Sequence, residues 1–255
     1  NSIKFNCGKL KSNNINNLDI TNISYKKICY EKNIYDPTCG AGAFLLEALK
    51  IKLNLLDLHC KCITQKQIAM ILNTIHGNDI NIESVIITKI RLFMVVLNRY
   101  GINKVQGISK NINSCFTNVD FITNTGIIKT RFDIIVGNPP YVEDSKSESK
   151  PTNKYGNIYA NVLENAALLL KPDGVLGFII PLSYISTIRM RKIRKKLDEY
   201  IPEQYIMNYA DRPDCLFTSV HQKLSIFLGR KNNGPRQVYT SNYQYWYKEE
   251  RYKFK

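Results

Sequence analysis

Four consecutive residues carry the sharpest chemical signal in the chain: Asn138-Pro139-Pro140-Tyr141. They follow Phe132–Val136, an apolar run with one acid that reads as a buried strand, through Gly137. Two prolines in succession hold the backbone extended and remove two N–H donors. A segment this stiff can aim the Asn138 side chain and the Pro139 carbonyl outward as paired acceptors. An exocyclic amine has two N–H bonds to offer them. Tyr141 supplies a flat face on which a planar heterocycle can stack. The same residues also suit a loop stiffener with a core tyrosine, and the two readings differ in where Asn138 points.

A second turn has the makings of a cofactor site. Asp36-Pro37-Thr38-Cys39-Gly40-Ala41-Gly42-Ala43-Phe44-Leu45 reads as a strand end, a tight turn and a helix start. Gly40 and Gly42 remove Cβ atoms that would hold a ligand away from the backbone, and the helix after them presents free N–H groups. This is a GxG without the rest of a nicotinamide fingerprint, and no Walker lysine-serine pair is present. Downstream, Ile75-His76-Gly77-Asn78-Asp79 reads as a strand with an acidic end. Asp79 can accept hydrogen bonds from both hydroxyls of a ribose, as acids do at this place in nucleotide-binding sheets. A helix N-cap is its plainer role. Turn and acid together favour a nucleoside-bearing cofactor.

Composition narrows the chemistry further. The 255 residues carry 36 Lys+Arg against 21 Asp+Glu, a net charge of +15. That field suits a polyanionic partner, nucleic acid first, although an AT-rich coding sequence also writes many lysines and asparagines. The seven cysteines form no CxxC pairs, and with three histidines they give no metal-ligand spacing, so neither a disulfide framework nor a metal site is expected. No apolar run approaches the ~18 residues of a membrane span, and no signal peptide is read at the Asn-rich start. A cytoplasmic protein is expected, with no membrane partner.

These residues need elements to position them. Helical periodicity covers Ala43–Leu56, Gln65–Asn73 and Ile82–Asn98, the last with Val85, Ile86, Ile90, Phe93 and Leu97 on one face. Asn157–Leu170 is a further helix, ended by Lys171-Pro172-Asp173-Gly174, and Ile188–Tyr200 is a basic one. Strands are expected at Val175–Pro181, Tyr205–Asn208 and Ser219–Leu228, with a weak helical pattern at Leu18–Tyr30 and no closing element after Gly229. Residues 143–154 read as a charged loop without apolar anchors. Strands alternating with helices imply βαβ units and a mostly parallel α/β sheet, with sites beyond the carboxyl ends of its strands. Both turns fall at such ends.

Taken in order, Asp36-Pro37-Thr38-Cys39-Gly40-Ala41-Gly42-Ala43-Phe44-Leu45, Gly77-Asn78-Asp79-Ile80 and Asn138-Pro139-Pro140-Tyr141 resemble the S-adenosylmethionine-dependent adenine-N6 DNA methyltransferases. The similarity is to the Eco57I-like branch of restriction-modification enzymes, in which the cofactor motif precedes the catalytic motif, and it covers about residues 18–230. It implies a Rossmann-like class I methyltransferase with a mostly parallel seven-stranded sheet and helices on both faces. It further implies an N-terminal flanking segment at residues 1–33, a catalytic domain at 34–230 and, from 231 to 255, the start of a truncated target-recognition region. S-adenosylmethionine is the implied cofactor, held by Asp36, Pro37, Thr38, Cys39, Gly40, Gly42, Asp79, Ile80, Asp120 and Phe121. Asp120-Phe121 stands where the family's third motif places an acid near the cofactor's adenine.

The implied partner is double-stranded DNA with a flipped adenine, in a prokaryotic, nucleoid-associated setting, alongside fused or separate target-recognition and endonuclease parts. Cys215-Leu216-Phe217-Thr218-Ser219-Val220 resembles the later motif whose aromatic faces the catalytic tyrosine, so Phe217 and Tyr141 would sandwich the base. Residues 1–33 lack the Thr-Pro that the family carries before its first strand. Enzymes that methylate a glutamine amide or an RNA guanine amine share the Asn-Pro-Pro-Tyr turn, and a catalytically idle DNA-binding module is a further alternative. The Asp-Pro-Thr-Cys-Gly form of the first turn and the Phe217 segment favour adenine in DNA.

Overall fold

The computed structural model describes residues 26–215, 217, 222–245 and 247. Residues 18–25 of the helical pattern and residues 218–221 after Cys215 lie outside them. The strands are β1 (Ile34–Asp36), β2 (Ile75–Asn78), β3 (Phe116–Thr117), β4 (Phe132–Gly137), β5 (Leu170–Pro181), β6 (Glu203–Tyr209), β7 (Leu224–Arg230) and β8 (Gln237–Gln244). They form one sheet in the order β3-β2-β1-β4-β5-β7-β6-β8. The first five run parallel, β7 is antiparallel to both its neighbours, and β8 is parallel to β6.

Among the described residues seven α-helices accompany the sheet: α1 (Ala43–His59), α2 (Gln65–Leu72), α3 (Ile82–Tyr100), α4 (Ser109–Ser114), α5 (Ile158–Leu169), α6 (Ser183–Ser186) and α7 (Arg191–Tyr200). The two-residue period of a strand divides the core between the two faces. Ile34 of β1 and Ile134 and Val136 of β4 pack with α1, α2, α3 and α4. Tyr35 of β1 and Ile135 of β4 pack with α5 and α7, joined by Phe132, which precedes the irregularity of β4 between Phe132 and Ile134. Polar side chains fix the starts of three of these helices. Thr64 and Gln67 form a reciprocal capping box on α2, while Asn81 and Asn157 cap α3 and α5. Among the described residues no helix is long and apolar enough to cross a membrane.

The structure departs from the sequence expectations in several places. Among the described residues the sheet has eight strands, including β3 and β8, neither of which was read from the sequence; across the β8 edge Tyr205 and Tyr239 stack at 5.0 Å. On α3 the buried face is Val85, Thr88, Leu92 and Val96, whereas Ile86 and Ile90 are exposed. The helix carries more than one apolar stripe, and the contact of Thr88 with the Gly42 turn sets its roll. Lys171–Gly174 does not end α5 as a free turn. It is the irregular start of β5, with Asp173 N–H bonded to Lys231 O at 2.7 Å. The basic stretch begins as a 3₁₀ turn, Ile188–Met190, before α7. Finally, β7 starts at Leu224, later than expected.

Candidate active site

The carboxyl ends of β1, β2 and β4 open onto a cavity of about 490 Å³. Its wall joins both halves of the sequence pattern. Pro37, Thr38, Asp79, Ile80, Asp120 and Phe121 line one side, and Asn138 and Pro140 line the other. Asp36, Cys39, Gly40, Gly42, Pro139, Tyr141 and Phe217 are not part of the described lining.

On the first side the backbone curls tightly. Gly42 N donates to Cys39 O at 2.8 Å, with Gly40 at φ 51° and Gly42 at φ 80°, both left-handed. A Cβ on Gly40 would meet nothing within 4 Å, so the space above it is open. Gly42 is different. A Cβ there would lie 2.6 Å from Thr88 Cγ2, so this glycine admits α3 rather than a ligand. Thr88 in turn donates its hydroxyl to Gly40 O at 2.8 Å. Cys39 is buried beside Thr88, and burial pushes its thiol up to about 12, which keeps it neutral. The Thr38 hydroxyl is buried in the cavity wall with no described partner.

The acids have distinct tasks. Asp36 is buried beneath the turn, its Oδ1 accepting Thr38 N–H at 3.1 Å. Burial drives its carboxyl up to about 8; the Thr38 N–H opposes this and the nearby Asp79 adds to it. Asp79 accepts Gly40 N–H at 2.8 Å on Oδ2 and Asn81 N–H at 2.9 Å on Oδ1. It is therefore not the cap of α3, a task that Asn81 performs. Each Asp79 oxygen keeps a second lone pair for the cavity. Asp120 braces its own turn through Ile122 N–H and the Thr123 hydroxyl, each at 2.9 Å. Phe121 is buried, its ring 6.0 Å from that of Tyr35.

Sequence reasoning missed Asn78. This buried amide donates to the carbonyls of Pro37 and Val119, both at 3.0 Å, and accepts from the Thr117 hydroxyl and Val119 N–H. One side chain thus ties the β1 turn to the segment carrying Asp120. Its only signal in sequence is an amide at the end of a strand, next to Asp79. Lys146, Ser147, Glu148 and Ser149 were also missed; the charged loop forms part of the cavity wall.

On the second side, Pro139 is buried while Asn138 and Pro140 are exposed. The Tyr141 hydroxyl sits between two acceptors, Asn138 Oδ1 and the Ile179 carbonyl, the latter at 3.1 Å. Its ring meets Tyr159 edge-on at 6.4 Å, and burial raises the phenol well above its ordinary range. An amide oxygen has two lone pairs, so Asn138 retains one for an incoming donor. The two half-sites are close neighbours, since a Cβ on Gly137 would lie 2.9 Å from Asp36 Oδ1. Phe217 lies half-buried in the bend after Cys215 and is not among the residues of the wall.

Five parallel strands, a reversed β7 beside β5 and a cavity over β1 and β4 define a class I S-adenosylmethionine-dependent methyltransferase fold. The solved M protein of the type I restriction enzyme EcoKI shares it, with a TM-score of 0.59 at 15% identity over 87% of this chain and 50% of that one. So does a nuclease-deletion mutant of the type ISP restriction-modification enzyme LlaGI, solved with a DNA substrate mimic, with a TM-score of 0.59 at 16% identity over 84% of this chain and 21% of that one.

The chain belongs to the Eco57I restriction-modification methylase family, whose pattern matches residues 73–213. It is 28% identical over 205 residues to the type II methyltransferase M.BstVI of Geobacillus stearothermophilus, a match covering 75% of this chain and 36% of the relative. Over 82 residues it is 33% identical to the type II restriction enzyme and methyltransferase RM.Eco57I of Escherichia coli, covering 27% of this chain and 8% of the relative. The chain therefore spans little more than a third of the first relative and much less of the second.

Proposed function

We propose that this chain transfers a methyl group from S-adenosylmethionine to N6 of an adenine turned out of duplex DNA, as the methylating part of a prokaryotic, cytoplasmic restriction-modification system. The observation that carries the proposal is the single cavity whose wall holds Thr38, Asp79 and Asp120 on one side and Asn138 and Pro140 on the other.

The residues present fit the methyl donor. The orphaned Thr38 hydroxyl, the open space over Gly40 and the spare lone pairs of Asp79 suit a nucleoside carrying ribose hydroxyls. When bound, the donor supplies a sulfonium methyl activated for displacement. The protein's share is to prepare the acceptor. N6 of adenine is a poor nucleophile because its lone pair is delocalised into the ring. Asn138 Oδ1 and the Pro139 carbonyl would take its two N–H bonds, favouring a pyramidal nitrogen and stabilising the positive charge that develops on it. This is preorganised electrostatics together with positioning. Tyr141 would stack on the extruded base, with Phe217 on its other face.

The test is titration of the purified chain with S-adenosylmethionine, followed by tritium transfer to mixed-sequence DNA and nucleoside analysis. Saturable binding with label in N6-methyladenine supports the proposal. Label in protein or RNA alone, or DNA binding without cofactor binding, overturns it.

A further inference from the structure

The basic stretch after β5 sorts into two groups once its contacts are known. Arg194 turns inward and donates to the carbonyls of Tyr184 and Thr187, the latter at 3.0 Å, while Lys196 pairs with Glu164. Arg189, Arg191, Lys192 and Lys195 are exposed and form no described ion pair. Beside them Ile188 is 88% exposed, on a turn that is otherwise pinned. Tyr184 and Met190 are buried on either side, and the Thr187 hydroxyl donates to Ser183 O at 2.8 Å. An apolar side chain held in water on a rigid turn among cations calls for a partner that is both anionic and stackable.

The location fits. The segment leaves the sheet at the carboxyl end of β5, next to β4 and its Asn138 turn. The Ser183 and Tyr159 hydroxyls lie 2.9 Å apart, and Tyr159 meets the Tyr141 ring. The Arg189 stem crosses Gly156, where a Cβ would lie 3.4 Å from Cδ. On the other flank Ile185 and Ser186 line a second cavity of about 500 Å³ with Tyr243 and Tyr245. The segment thus forms a ridge between two hollows on the edge that holds the active site.

We propose that this ridge is a duplex-DNA contact. Arg189, Arg191 and Lys192 hold phosphates, and Ile188 rests against the base stack beside the extruded nucleotide. The inference rests on DNA being the substrate and deepens that reading. It is tested by binding of the full chain to a labelled 40-base-pair duplex of mixed sequence across a salt series, with no methyl transfer required. Each phosphate contact contributes about 0.9 to the slope of log affinity against log salt, so R189Q/R191Q/K192Q should flatten it by about 2 to 3. K61Q/K66Q/K110Q removes the same charge from exposed lysines outside the active-site edge and should leave the slope within about 1.

A benzoylphenylalanine photo-crosslinker at position 188 should couple to the duplex on irradiation, and one at position 66 should not. Equal slopes for the two triple variants, absence of coupling at 188, or no salt-dependent binding at all overturns the ridge. A chain that binds through the ridge and transfers no methyl group counts against the functional proposal alone. One that methylates DNA with neither effect counts against the ridge alone.

Discussion

The hydroxyl of Tyr141 is hydrogen-bonded to the side-chain oxygen of Asn138, three residues before it in the same turn. The tyrosine ring is anchored on Tyr159, so the amide is held from behind by a residue that the core itself fixes. On the proposed function, the acceptor oxygen is thereby oriented before the base arrives. Removing the hydroxyl while keeping the ring isolates this effect. Tyr141→Phe should lower kcat about 3- to 10-fold, the worth of one hydrogen bond, with KM for DNA little changed. An unchanged kcat in steady-state methylation assays would show that the hydroxyl positions nothing.

Asn138→Ala removes the acceptor itself. Methyl transfer should fall by about 100-fold or more, while S-adenosylmethionine binding stays near the parent value, because Asn138 lies on the opposite wall from Thr38 and Asp79. Calorimetry and single-turnover transfer separate the two quantities. Full activity would remove Asn138 from the chemistry.

Gly42→Ala tests the helix contact. The new methyl group would meet Thr88 at a left-handed backbone position, at a cost of about 1–3 kcal/mol and several degrees in Tm. Adding Thr88→Ala should recover part of the loss, since it clears the nearest atoms but leaves the φ unchanged. Thermal melts of the two variants and the parent decide it.

Asp36 makes stability depend on pH in a definite direction. Its carboxyl holds a proton in the folded chain up to about pH 8 but loses it near pH 3.8 when unfolded. Between those values the folded state binds more protons, so the stability this group contributes is complete below about pH 4 and declines as pH rises toward 8. Asp36→Asn keeps the acceptor for Thr38 N–H without the titration. Denaturant midpoints at pH 5, 6.5 and 8 should therefore favour the variant progressively. A constant difference would refute a protonated Asp36.

What could be read in the sequence was local. Asp36 to Leu45 and Asn138 to Tyr141 are contiguous, and their glycines and prolines dictate backbone shape without help from distant residues. Asn78 was opaque because its partners are Pro37, Thr117 and Val119, roughly 40 positions away on either side. The Lys146–Ser149 stretch reaches the cavity by a fold-level path that no periodicity encodes. β8 escaped notice because an edge strand in contact with solvent needs no apolar alternation, and its residues are mostly exposed. The inward face of α3 was misjudged because amphipathicity gives a stripe, while the roll of the helix depends on a neighbour such as Gly42.

Gly137 and Asp36 lie at the carboxyl ends of adjacent parallel strands, and the Asp36 carboxyl fills the space that a Gly137 side chain would need. On the proposed function, the turns after β1 and β4 that would carry the two reactants spring from neighbouring strands about 4.8 Å apart, a spacing that backbone geometry imposes on every sheet. Substitutions in either turn change the side chains it offers, but the spacing of the two strands is set by the ladder and lies beyond the reach of side-chain evolution.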